Sequence, residues 1–242
     1  RQALNYHEDN WGAYAKHGTN FRFANLDELF GFNNQHLPIF YGNMLKPQTG
    51  RNTEIGVNFA NSVTQIRVAI YQNELKDEIA YNNYSMLNTN LDPTVHRGIE
   101  TQFSYQLLES LKTKLSYTHA ESTFRSGVYK NHDIPGVPND IANLQLIFNG
   151  NTYGKYIAKL NYVGSSYFSN DLINDGNRQN SYTTLDLKAS WDLAPFTLDI
   201  TALNVLDKKY YTYGLTNSSH YSYLIYPANG QSIYASIKYD FK

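Results

Sequence analysis

Long runs of period-2 alternation, the lack of any apolar segment long enough for a spanning helix, and a rhythm of short turns and long loops predict an all-β chain. The class predicted is an antiparallel transmembrane β-barrel. Alternating runs fall at 11–18, 51–60, 64–80, 97–107, 111–121, 140–149, 154–168, 181–193, 197–211 and 230–241. Soluble strands average about five or six residues, whereas a tilted strand needs roughly 9 to 11 to cross a bilayer, and these runs approach the second figure. The connections 61–63, 108–110, 150–153 and 194–196 are tight, while 19–50, 82–96, 122–139, 169–180 and 212–229 are long. Long loops are uncommon inside a compact soluble domain. A transmembrane barrel accounts for both classes, with short turns on one rim and long loops on the other.

Taken in order, Gln2 to Tyr6 reads as the remnant of a strand, and 11–18 as the first full one. After the first long loop, 51–60 and 64–80 form a pair across a tight turn. The next pair shows its faces clearly. Ile99, Thr101, Phe103, Tyr105 and Leu107 oppose Glu100, Gln102, Ser104 and Gln106, and Leu111, Thr113, Leu115 and Tyr117 oppose Lys112, Lys114, Ser116 and Thr118. Runs 140–149 and 154–168 pair across 150–153. In 181–193 the residues Thr183, Leu185, Leu187, Ala189, Trp191 and Leu193 share one parity, and Asp186, Lys188 and Asp192 the other. Run 197–211 follows a tight turn. In 230–241, Ile233, Ala235, Ile237, Tyr239 and Phe241 oppose Ser232, Tyr234, Ser236, Lys238 and Asp240. Gly98, Gly154 and Gly164 read as strand bends. Trp11, Tyr81, Tyr153, Tyr167, Trp191 and Tyr210, near run ends, suit interfacial girdles.

Composition agrees. Mean hydropathy is −0.53, yet the 242 residues include 22 Tyr and 12 Phe, spread along strands rather than gathered into a core pattern. A barrel needs no continuous apolar run, because only alternate residues meet lipid. The start, Arg1-Gln2-Ala3, has no signal-peptide apolar region. A formal charge of −1 excludes an electrostatic footprint for nucleic acid. With no cysteine there is no disulfide framework or thiolate metal site, as suits a bacterial envelope protein.

Several motifs occur in a recognisable order. Phe21-Arg22-Phe23-Ala24-Asn25-Leu26-Asp27-Glu28-Leu29-Phe30-Gly31 is followed by Leu45-Lys46-Pro47-Gln48-Thr49 and Glu54-Ile55-Gly56. Later come Ile134-Pro135-Gly136-Val137-Pro138, then Asn204-Val205-Leu206-Asp207-Lys208-Lys209-Tyr210, then Tyr226-Pro227-Ala228-Asn229-Gly230 leading to Phe241. Together they resemble the landmarks of TonB-dependent outer-membrane receptors, over essentially the whole chain. That resemblance implies a 22-stranded plugged barrel, of which residues 1–242 are the C-terminal part with about ten strands. On that resemblance the plug and the segment that contacts TonB are expected outside this chain. It also implies import of a scarce, bulky nutrient energised through TonB. A ferric siderophore is the expected ligand, with cobalamin or haem as the others. A small barrel complete in itself, an adhesin or structural protein of the envelope, is the alternative.

The long connections, placed outside the cell by that resemblance, carry rings and histidines suited to an iron chelate or a corrinoid. The candidate contacts are Phe32, His36, Phe40, Tyr41, Tyr129, His132, Tyr167, Phe168, Tyr213, His220 and Tyr221. Arg22, Arg51, Arg97, Arg125 and Arg178, near the loop bases, suit pairing with anionic chelate oxygens. No protein-bound metal or cofactor is expected. The histidines lack ligand spacing, and the stretch 170–177 has Ile173 where a calcium loop needs an oxygen, so it reads as an Asx-rich turn. No catalytic residue is expected either. His119 beside Glu121 and Ser122, or His132 beside Asp133, are sequence neighbours that point to opposite faces of a strand.

Overall fold

The computed structural model describes residues 2–32, 38–40, 45–82, 85, 87–216 and 223–241. Eleven antiparallel strands form one continuous sheet in which each pairs with the next of the eleven along the chain. They are β1 (Gln2–Glu8), β2 (Trp11–Arg22), β3 (Gln48–Ala60), β4 (Thr64–Lys76), β5 (Thr94–Leu108) and β6 (Leu111–Phe124), then β7 (Asp140–Asn149), β8 (Lys155–Val163), β9 (Tyr182–Leu193), β10 (Phe196–Leu203) and β11 (Ser232–Tyr239). The short turns 9–10, 61–63, 109–110, 150–154 and 194–195 share one rim, and the long connections share the other. At one turn Asn61 Oδ1 accepts from the backbone N–H of Val63 (2.9 Å) and Thr64 (2.6 Å), an Asx turn that closes the hairpin.

Several strands run a few residues further than the alternation predicts, as β2 does to Arg22 and β6 to Phe124, and four boundaries change for identifiable reasons. Gln2 to Tyr6 belongs to a full strand that runs to Glu8 and pairs with β2 from Gln2↔His17 to Glu8↔Trp11. The run 64–80 stops at Lys76, where Asp77 adopts φ 55°. The run 197–211 stops at Leu203, because Asn204 (φ 49°) and Asp207 (φ 47°) take left-handed conformations that Asn and Asp tolerate. The run 154–168 stops at Val163, and the Gly164 N–H bonds to the Asp140 carbonyl at 2.8 Å. Each break follows from local backbone chemistry that an apolar/polar pattern does not carry.

Register turns the alternation into two faces. One row runs Leu185↔Leu160↔Leu144↔Leu115↔Phe103↔Ile66↔Phe59↔Trp11 across eight strands. The neighbouring row on the opposite face runs Thr184↔Asn161↔Asn143↔Ser116↔Gln102↔Arg67↔Asn58↔Gly12. Apolar side chains on the first face stand open: Ile55 is 60% exposed, Ile70 63% and Ile237 71%. A continuous apolar patch of this extent has no place on a soluble monomer. The apolar face therefore meets lipid and the polar face lines a lumen.

Aromatic rings concentrate where that face meets the short-turn rim. Trp11 and Phe59 lie 4.8 Å apart, Tyr156 and Trp191 5.9 Å, and Phe196 and Tyr239 5.1 Å. They form a girdle of amphipathic rings at one water boundary. Trp11, Tyr153 and Trp191 belong to this rim. Tyr81, Tyr167 and Tyr210 do not: Tyr81 lies in a loop hairpin, Tyr167 in another loop, and Tyr210 stacks on Tyr182 at 4.3 Å.

On the lumenal face, Tyr14 donates to Glu54 Oε1 (2.6 Å), Arg67 donates to the Tyr14 hydroxyl (2.8 Å), and Lys16 pairs with Glu54 (2.6 Å). Gly56 makes room for the Tyr14 ring, since a Cβ there would lie 2.5 Å from it.

Candidate ligand-capture rim

Four of the five long connections carry small hairpins: Phe30–Phe32 with Pro38–Phe40, Ile79–Asn82 with Leu87–Asn90, Ser166–Tyr167 with Arg178–Gln179, and Tyr211–Thr216 with Tyr223–Pro227. The remaining connection is fastened by a bridge between Thr123 and Asp133. These hairpins raise the wall above the strand ends.

The first loop motif is a built structure. A helical turn, Leu26–Leu29, is capped by Asn25, whose Oδ1 accepts from the Glu28 N–H at 2.9 Å, while the Glu28 carboxylate accepts from the Asn25 N–H at 2.8 Å. This capping box satisfies two end groups reciprocally. Arg22 at the end of β2 clamps the same carboxylate at 2.7 and 2.8 Å. Burial pushes Glu28 up, but the bonds from Arg22 and Asn25 hold it below the usual carboxylate range. The 45–49 motif is tied to the second loop through Asn90, which accepts from the Lys46 N–H (2.8 Å) and donates to the Lys46 carbonyl (3.0 Å).

The last three loops are laced together. Asn174 bonds to both the N–H and the carbonyl of Asp133, at 2.5 and 3.1 Å. His132 Nδ1 donates to the Leu172 carbonyl at 3.1 Å. Asn170 accepts from the Thr216 N–H at 2.8 Å and donates to its carbonyl. The Asp171 carboxylate accepts from the N–H groups of Asp175 (3.3 Å) and Gly176 (3.0 Å), as an Asx-rich turn requires. In the 204–210 motif Asn204 bonds both backbone groups of Lys208 at 3.0 Å, which fixes the bend where β10 ends.

The candidate contacts separate accordingly. Tyr213 is exposed, 5.5 Å from Tyr226. Tyr167 is half-buried beneath the exposed Arg178 guanidinium at 4.6 Å, a cation–π pair. Tyr129 is half-buried and packs on Phe124 at 5.6 Å. Phe168 is 4% exposed, wedged between Tyr223 (4.4 Å) and Tyr211 (6.1 Å), so it holds loops together. In the first loop hairpin Phe32 pairs with Pro38 and Phe40 with Phe30 along the backbone ladder. His36, Tyr41, His220 and Tyr221 lie outside the described residues. Of the loop-base arginines, Arg22, Arg97 and Arg125 are paired with Glu28, Glu121 and Glu74.

One grouping escaped the sequence altogether. Ser122 Oγ lies 2.9 Å from His96 Nδ1, and His96 Nε2 lies 3.3 Å from Glu78 Oε2, which also accepts from Thr94 Oγ1 at 2.7 Å. Burial pushes Glu78 up, but the bonds from His96 and Thr94 outweigh it and hold the carboxyl below its ordinary range. Ser122 and Thr94 are buried, and the relay fastens the second loop to the wall. It joins residues on the adjacent strands β5 and β6 to the loop that precedes β5, a relation invisible without register.

A lipid-exposed wall, a polar lumen and a raised rim of loops match one known family over most of their length. Residues 1–205 fit the family model described as TonB dependent receptor-like, beta-barrel. The chain belongs to this family. As a TonB-dependent receptor barrel it lies in the outer membrane. It is 24% identical over 234 residues to the vitamin B12 transporter BtuB of Vibrio vulnificus (strain YJ016), covering 94% of this chain and 34% of that protein. The ferric yersiniabactin uptake receptor FyuA from Yersinia pestis superposes with a TM-score of 0.75 at 20% identity, covering 99% of this chain and 37% of that one. The copper transporter OprC gives 0.76 at 16% identity, covering 99% and 39%. The chain thus spans about a third of the relatives it matches, and its sheet is a partial barrel whose edges are β1 and β11.

Proposed function

We propose that these strands are the C-terminal wall of a receptor that captures a ferric siderophore at its outer rim and imports it with energy delivered through TonB. The observation that carries the choice of ligand is the pairing of Arg178 with Tyr167 in loops that also present Tyr213 and Tyr226. An exposed guanidinium over a ring, beside further rings, suits an anionic chelate with aromatic or apolar parts. Among the candidate contacts, Tyr167 and Tyr213 are the ones proposed to meet ligand, whereas Phe168 and His132 support them. Resemblance to a vitamin B12 transporter along nearly the whole chain favours cobalamin as the second reading.

The test uses the full-length receptor. Titration with a panel of ferric siderophores and with cyanocobalamin, followed by tryptophan fluorescence, should give saturable binding of at least one ferric chelate. Arg178→Gln should weaken it about tenfold, the loss of one charge-assisted contact. Growth of a receptor-deleted strain on that chelate should require both the receptor and TonB. Binding of cyanocobalamin alone would transfer the assignment to corrinoid, and failure to bind or support growth on either would refute import.

A further inference from the structure

We propose that the outward face of the wall just above the apolar belt, across β2, β3 and β4, holds the phosphorylated sugar headgroup of an outer-leaflet glycolipid. Register sets the geometry. Arg51 lies opposite both Thr19 and Glu74, and Lys76 opposite Thr49. All share the parity of Ile55 and Ile70, the open apolar residues four positions nearer the short-turn rim. They therefore point away from the lumen, toward the level where lipid gives way to headgroups. Arg125, just past β6, reaches across to Glu74 at 2.6 Å.

These residues wall a shallow depression of about 680 Å³, together with Phe21, which is largely exposed at one edge. Three cations (Arg51, Lys76, Arg125) face one carboxylate (Glu74), an excess of two positive charges. Among the described residues neither Arg51 nor Lys76 has a side-chain partner. The adjacent Arg97–Glu121 pair is closed on itself at 2.7 Å and leaves no net charge. An uncompensated guanidinium beside an ammonium suits a phosphate. Hydroxyls from Thr19, Thr49 and Ser126, with the Phe21 ring, suit a sugar carrying it.

Position selects the source. Arg51, Glu74 and Lys76 continue the lipid-facing surface, so a molecule whose acyl chains lie along Ile55 and Ile70 brings its headgroup there. The site is independent of which nutrient is imported.

The test is native mass spectrometry of the full-length receptor in detergent, with lipid A carrying both phosphates, fully dephosphorylated lipid A, and inorganic phosphate as separate probes. Lipid A should bind and be discriminated from its dephosphorylated form. Each basic residue near an anionic surface contributes roughly fivefold, so Arg51→Gln with Lys76→Gln should weaken binding roughly 25-fold. The control, Lys114→Gln with Lys159→Gln, removes the same charge from the lumenal face and should leave binding unchanged. Heat-modifiability on gels checks that each variant is folded. The proposal is overturned if folded outward variants bind as the parent does, if the lumenal control loses as much, or if dephosphorylated lipid A binds equally. Binding of inorganic phosphate that lipid A does not displace would also overturn it.

Discussion

Leu115 and Ser116 are neighbours on β6 that face opposite solvents, and replacing each with Arg separates the two faces energetically. Leu115 sits between Phe103 and Leu144 on the apolar face, and Ser116 between Gln102 and Asn143 on the polar one. Outward residues of β6 run from Leu111 through Thr113, Leu115 and Tyr117 before polar His119 and Glu121 begin, so Leu115 lies near the middle of the belt. An Arg at the midplane of a barrel costs roughly 2 to 4 kcal/mol, falling to about 0 to 1 near the interfaces. At about 1.4 kcal/mol per factor of ten, Leu115→Arg should shift the folding equilibrium by about 30-fold or more. Ser116→Arg, on the polar lumenal face with neutral Gln102 and Asn143 opposite and Lys114 and Arg67 in the same hollow, should cost less, roughly 1 kcal/mol or below. The assay is reversible denaturant unfolding of the intact receptor in lipid vesicles, read by tryptophan fluorescence and checked by protease protection. Equal costs at the two positions, or a greater cost at Ser116, would refute the assignment of lipid to the apolar face.

Three further outcomes follow from the same geometry. Single cysteines at Val128 and Asn151 should label differently in intact cells with an impermeant maleimide, Val128 reacting and Asn151 not, because they lie on opposite rims; the reverse result would invert the topology. Asn174→Ala removes two bonds to the Asp133 backbone and leaves those groups part-buried. The loss is about 1 to 3 kcal/mol of local stability, so hydrogen exchange in 125–139 and 164–181 should quicken together while the strands keep their protection. Glu78, with its folded pKa held below the ordinary 4.5, contributes stability that is complete above that value and is lost as pH falls through the folded pKa. Protease cleavage within 77–93 should therefore rise only below about pH 4.5, and Glu78→Gln should abolish that rise.

The wall was legible because a bilayer imposes a two-state code on every second residue. Leu187 and Lys188, or Ile237 and Lys238, reveal their environments without any partner being known. Boundaries were less legible where the backbone, not the side-chain pattern, decides. Asp77 and Asn204 end strands by adopting positive φ, and the residues beyond them still alternate as strands do. Gln2 to Tyr6 looked like a remnant because too little sequence precedes it to show a full period, yet its pairing with β2 is unbroken.

The rim was less legible still, because the same residue types do two jobs there. Phe168 and Tyr213 both lie in long loops of an outer-membrane wall, and nothing in their own sequence windows tells them apart. Their difference is made by residues far along the chain. Gly214 has no side chain, and a Cβ there would meet the Phe168 ring at 2.6 Å, so the last loop closes over that ring. Asn170 then fastens the two loops through both backbone groups of Thr216. Tyr213, one residue from that glycine on a strand, points the other way and stays exposed. A glycine and an asparagine, neither with the chemistry to bind a chelate, thus decide which ring is available to one.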